Sequence, residues 1–123
     1  MRSLTAEMIY DTQTVRLPHG VRTVRGHDRR LLFTAAEYEI VLEVVAGETA
    51  GWLRLSGQIL IDGEPVEGAA ITLDDGASTV TDDEGRFKLV QGLAPRCGFW
   101  VQTDNFLLIV PPFEVGNTLA GAA

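Results

Sequence analysis

The sequence has one cysteine, two histidines and one lysine in 123 residues. A lone Cys97 excludes an internal disulfide, and no Cys/His cluster has zinc-ligand spacing, so core packing has to hold the fold. No apolar run approaches the roughly 20 residues that a membrane-spanning helix needs. At the N-terminus, Met1–Glu7 places an acidic residue where a signal peptide needs an apolar stretch of about 7–15 residues, which points to the cytoplasm. Internal repeats and low-complexity tracts are missing as well.

The composition, 46% apolar and 22% charged, is that of a globular chain rather than a disordered one. Its length suits a single domain. Net charge is −7, unevenly spread. Residues 1–30 carry Arg2, Arg16, Arg22, Arg25, Arg29 and Arg30 against Glu7, Asp11 and Asp28, a net +3, and the remainder is −10. A basic arm (1–28) therefore precedes an acidic body (29–115), and the small-residue tail 116–123 is expected to fray. Arginine supplies nine of the ten basic groups, a bias that genome composition explains before function does.

From Arg30 onward short apolar runs alternate with turn signals, and few windows keep a helical 3.6-residue stripe. Residues 37–44 alternate, with Tyr38, Ile40, Leu42 and Val44 on one face and Glu37, Glu39 and Glu43 on the other. Leu53, Leu55, Ile59 and Ile61 share the inward face of the next strand, and Asp62-Gly63 reverses the chain. Strands through 69–73, 78–81, 86–90, 98–102 and 106–110 follow. Unbroken apolarity over Phe106–Val110 implies burial on both faces or cover by another segment, and Pro111-Pro112 is read as its stop. In the arm, Met8-Ile9-Tyr10 and Val15-Arg16-Leu17 are candidate short strands.

The stretch from Ser56-Gly57 through Pro65 and Gly68-Ala69, followed by Thr81-Asp82-Asp83-Glu84-Gly85-Arg86-Phe87, resembles the carboxypeptidase regulatory-like domain family over residues 55–111. The resemblance implies a transthyretin-like (prealbumin-like), seven-stranded Greek-key β-sandwich, all-β, here with extra N-terminal strands or an arm. It also implies an accessory role without chemistry. After Pro95 the sequence departs from the family's Gly-x-Tyr strand, having Arg96-Cys97-Gly98-Phe99-Trp100-Val101 instead. Locally, Asp82 can cap its own turn, Gly85 can take the left-handed conformation that closes the hairpin, and Phe87 then points inward.

No catalytic constellation emerges, so the sequence predicts a protein that is not an enzyme and has no cofactor. The hydroxyisourate hydrolase that shares the implied fold uses histidines, an arginine and a C-terminal Tyr-Arg-Gly-Ser. This chain ends in Gly-Ala-Ala, and His19 and His27 lie outside the matched region. Ser3, Ser56 and Ser78 lack a nucleophile elbow, and Cys97 has no histidine near in sequence. Acidic turns at Asp62/Glu64 and Asp82–Glu84 make calcium a candidate ligand, although the Asp-x-Asp-x-Asp-Gly loop is absent. Trp52, Trp100 and Phe113 are candidates for a sugar platform, and more simply for core or interface packing. The basic arm could meet phosphates, but an acidic body and an arm without aromatics disfavour nucleic acid.

The sequence thus predicts a protein-interaction or accessory module in a bacterial regulatory or multi-protein assembly. Arg16, Arg22, Arg25, Arg29, Arg30, Phe106 and Leu108 are the expected partner-binding residues, by charge and by strand addition at a sheet edge. The expected partner is another protein, with no membrane role. A carbohydrate or calcium module and a self-associating subunit are the alternatives, so homo-oligomerisation stays open.

Overall fold

The computed structural model describes residues 2–12, 29–46, 52–92 and 96–114. They form eleven strands: β1 (Arg2–Thr5), β2 (Glu7–Asp11), β3 (Arg29–Ala35), β4 (Tyr38–Ala46), β5 (Trp52–Ile61), β6 (Glu64–Pro65), β7 (Ala70–Leu73), β8 (Ser78–Val80), β9 (Arg86–Gly92), β10 (Arg96–Gln102) and β11 (Phe106–Glu114). Helices are absent among the described residues, so none there is long and apolar enough to cross a membrane.

Two sheets make a sandwich. In the first the order is β1-β11-β10-β7-β8, and in the second β2-β3-β4-β5, with β9 and β6 sharing the far edge of β5. The inward alternation read from sequence holds in the second sheet: Tyr38, Ile40, Leu42 and Val44 are buried, as are Leu53, Leu55 and Ile59. They meet Phe99, Val101, Phe106, Leu108 and Val110 from the first sheet. Phe33 joins the layers, its ring 6.4 Å from Phe99 edge-to-face and 5.6 Å from Phe113.

Of the two readings of the N-terminal segment, extra strands or an arm, the first holds for Arg2–Asp11, which belongs to the sandwich and includes the candidate strand Met8-Ile9-Tyr10. β1 runs parallel to β11 in the first sheet, and after Ala6 the chain crosses to pair antiparallel with β3 in the second. Buried Ala6 makes the last bond to the first sheet, donating its N–H to the Ile109 carbonyl at 2.8 Å. A small side chain suits that crossing, where a larger one would meet both layers.

The prolines correct the sequence reading. β11 does not stop at Val110 but continues to Glu114, paired through Phe113 with Cys97 and through Glu114 with Arg96. Between these pairs and Phe99–Val110 the register shifts, so that Pro111 and Pro112 together oppose Gly98. The bulge removes the need for two ladder donors that proline lacks.

The turn chemistry follows expectation. Asp62 and Gly63 both have positive φ, 50° and 82°, as a two-residue hairpin between β5 and β6 requires. Asp82 Oδ1 accepts the N–H groups of Glu84 and Arg86, each at 2.9 Å, and Gly85 has φ 73°. A Cβ on Gly85 would fall 2.6 Å from the Ile59 carbonyl oxygen, so the position excludes any side chain. Phe87 is buried and lies over its register partner Gly57, where an added Cβ would sit 2.4 Å from the ring.

Candidate interaction surface

In a sandwich the inner face of each sheet is committed to the core, so recognition falls to the outer faces, edges and turns. Register pairs define the outer face of the first sheet as two rows. One reads Thr5, Ile109, Trp100, Thr72, Ser78 across β1-β11-β10-β7-β8, and the other reads Ser3, Leu107, Gln102, Ala70, Val80. None of these side chains is ionisable, although the chain has 27 charged groups, as 10 basic and 17 acidic residues. Trp100 and Ile109 are direct cross-strand partners at its centre, 38% and 41% exposed, and Val80 lies exposed at its edge. Acidic residues mark both ends: Asp74 and Asp75 in the β7–β8 turn, Glu67 ahead of β7 and Asp104 in the β10–β11 turn. Arg96, at one end, is in register with Glu114.

The second sheet's outer face is different. Arg30 and Glu43 form an ion pair at 3.3 Å, and Tyr10, Leu32 and Val41 make an apolar row beside them. On the β5–β9 side, Trp52, Arg54, Lys88 and Val90 are exposed together: Arg54 is in register with Val90, and Lys88 with Ser56. Among the described residues Arg54 and Lys88 have no carboxylate within ion-pair distance.

Of the residues singled out from sequence, Arg16, Arg22 and Arg25 lie outside the described residues. Arg29 is not a surface contact. It is buried, its Nε and Nη2 donating to the two carboxylate oxygens of buried Asp11 at 3.0 and 2.6 Å. Its Nη1 also donates to the Glu114 carbonyl, and its guanidinium lies 5.7 Å from the Phe113 ring centre. Phe106 and Leu108 are likewise turned into the core. The surface of that strand belongs to Leu107 and Ile109, so Phe106–Val110 is covered on one face only. Arg30 is exposed but engaged with Glu43.

The candidate aromatic platform of Trp52, Trp100 and Phe113 does not assemble: the tryptophans occupy opposite outer faces, and Phe113 is buried, as the simpler packing reading has it. Nor do the acidic turns gather a ligand set, since no three His, Cys, Asp or Glu converge among the described residues. Asp82 instead spends its carboxylate on its own turn.

Cys97 is buried, and desolvation, aided by the charges of Asp74 and Asp75, pushes its thiol up to about 12. It stays protonated at neutral pH and is a poor nucleophile. At the far end of the sandwich Arg2 donates to both oxygens of Glu37 at 2.9 Å. Glu37's own backbone N–H, then Arg2, hold its carboxyl below the usual range, and the pairing raises Arg2. An apolar cleft of about 360 Å³ opens beside the crossing from β1 to β2, walled by Ala6, Met8, Phe33, Pro111, Pro112 and Phe113.

Sequence reasoning missed the Trp100–Ile109 pair as a surface. The absence of charge from the outward positions of five separate strands was visible, but only register assembles those positions into one face. Compared with known families, curated proteins and solved structures, the chain matches none.

Proposed function

We propose that this chain is a non-enzymatic protein-interaction module whose contact surface is the uncharged outer face of the first sheet. The observation that carries the reading is that face: ten outward positions without one ionisable side chain, centred on exposed Trp100 and Ile109, on a chain of net charge −7. An exposed aromatic surrounded by uncharged polar groups is the composition of an interface centre, where charged residues are depleted and tryptophan enriched.

On this reading the chain is a transthyretin-like Greek-key sandwich of the carboxypeptidase regulatory-like kind, acting as an accessory domain in a cytoplasmic bacterial assembly. Support for the fold comes from three of the motif residues, which have the tasks their local turn chemistry predicts: Asp82 caps, Gly85 turns, Phe87 fills the core over Gly57. In place of the arm and the Phe106/Leu108 side chains, Trp100, Ile109 and Leu107 become the contact residues.

Affinity purification from the native host with wild-type and Trp100→Arg chains tests this. The variant should lose about tenfold or more of the recovered partner, as expected for a central aromatic, while its melting temperature stays within a few degrees. Equal recovery would remove the face from the interaction. Trp100 beside Thr72 and Gln102 also suits a neutral sugar stacked on the indole. Saturable binding of a neutral glycan that quenches Trp100 fluorescence would favour that second reading.

A further inference from the structure

The two outer faces differ in charge in a way that selects a partner. The first sheet's face is uncharged at its centre and net acidic at its ends, through Glu67 and Asp104 at one and Asp74 and Asp75, beside the Arg96–Glu114 register pair, at the other. Trp52 and Val90 flank Arg54 and Lys88 on the second sheet, and those cations have no carboxylate partner among the described residues. Two copies can bring these faces together in three ways. First face on first face sets acidic ends against acidic ends, and second on second sets Arg54 and Lys88 against themselves. Of the three, first on second brings the unpaired Arg54 and Lys88 toward the carboxylates of the first face, and so opposes unlike charges while covering an exposed tryptophan from each side.

We propose that the first sheet's outer face receives a second copy of this chain, the Trp52, Arg54, Lys88 and Val90 patch of one molecule seating on Trp100 and Ile109 of the next. This rests on the interaction reading above and names its partner. The contact is heterologous, so each added copy uses one face and leaves the other free, and assembly continues as an open chain or closes as a ring. Five strands span only about 20 Å of face, below the footprint of a tight interface. Each contact is accordingly weak, and assembly depends on concentration and salt.

Sedimentation velocity on the full chain, from about 1 µM to about 1 mM and at about 0.05 and 0.5 M salt, is the test. Wild-type mass should rise with concentration, less so at high salt. Trp100→Arg, with Ile109→Lys as a second version, should abolish the rise, and so should the double variant Arg54→Glu/Lys88→Glu, all with unchanged melting temperature. An equimolar mixture of a Trp100→Arg chain and an Arg54→Glu/Lys88→Glu chain retains one intact face of each kind, so it should form a dimer and nothing larger.

A wild-type chain that stays monomeric throughout overturns the proposal. So does a mixture that fails to pair, or a Trp100→Arg chain that still self-associates. A monomeric wild type that nonetheless loses a host partner on Trp100→Arg substitution would leave the interaction module standing with a different partner.

Discussion

At Ala36, in the two-residue loop between β3 and β4, the backbone adopts φ 52°. Non-glycine residues pay about 1–2 kcal/mol for this region, more than the roughly 0.5–1 kcal/mol of extra chain entropy that glycine loses on folding. Ala36→Gly should therefore stabilise the fold by about 0.5 kcal/mol in urea denaturation, and a loss of stability would show that the loop is unstrained. Cys97 supplies a second prediction at this scale. With the thiol raised from 9.0 to about 12 in the fold, the folded chain holds a proton that the unfolded chain releases. The stability this gives is full below pH 9 and is lost as pH rises from there toward 12. The slope should be about 1.4 kcal/mol per pH unit and should be missing from Cys97→Ala. Thiol reagents at neutral pH should label Cys97 only after unfolding, and rapid labelling of the native chain would contradict its burial.

Strands β2, β3 and β11 meet at one buried ion pair. Arg29 on β3 binds Asp11 on β2 through two hydrogen bonds and reaches the Glu114 carbonyl on β11, so that a single side chain ties the second sheet to the first. Removing one partner strands a charge in the interior. Asp11→Ala should cost about 3–5 kcal/mol, and adding Arg29→Met should recover most of it, because an apolar pair of similar volume avoids the desolvation altogether. If the double variant is no more stable than the single, the pair does more than satisfy itself. From the sequence, Arg29 looked like one more cation of a basic arm. Its local context, Asp28-Arg29-Arg30, carries no mark that separates the buried arginine from its exposed neighbour. Only the pairing of β2 with β3, which brings Asp11 opposite Leu31, creates the site.

For the molecule as a whole, the N-terminal strands staple one side of the sandwich: β1 closes the edge of the first sheet and β2 that of the second. Deleting residues 1–6 would remove β1 and Ala6 and uncover the edge of β11 along Phe106–Ile109. The expected loss is about 2–3 kcal/mol, or about 10 °C or more in Tm, with aggregation through the newly free strand. A truncated chain with wild-type Tm would return this segment to the status of an arm.

Alternation, turn residues and composition were local signals, and they determined the all-β class, most strand positions after Arg30, the inward sets on β4 and β5, and the tasks of Asp82, Gly85 and Phe87. Each depends on residues close in sequence, where backbone sterics and the two-residue period of a strand act directly. The crossing at Ala6, the bulge that carries Pro111 and Pro112, the burial of Arg29, and the union of Trp100 with Ile109 in an uncharged face were decided by tertiary structure. All four arise from pairing between segments remote in sequence. Strand register, set by packing of the whole core, decides which outward residues become neighbours.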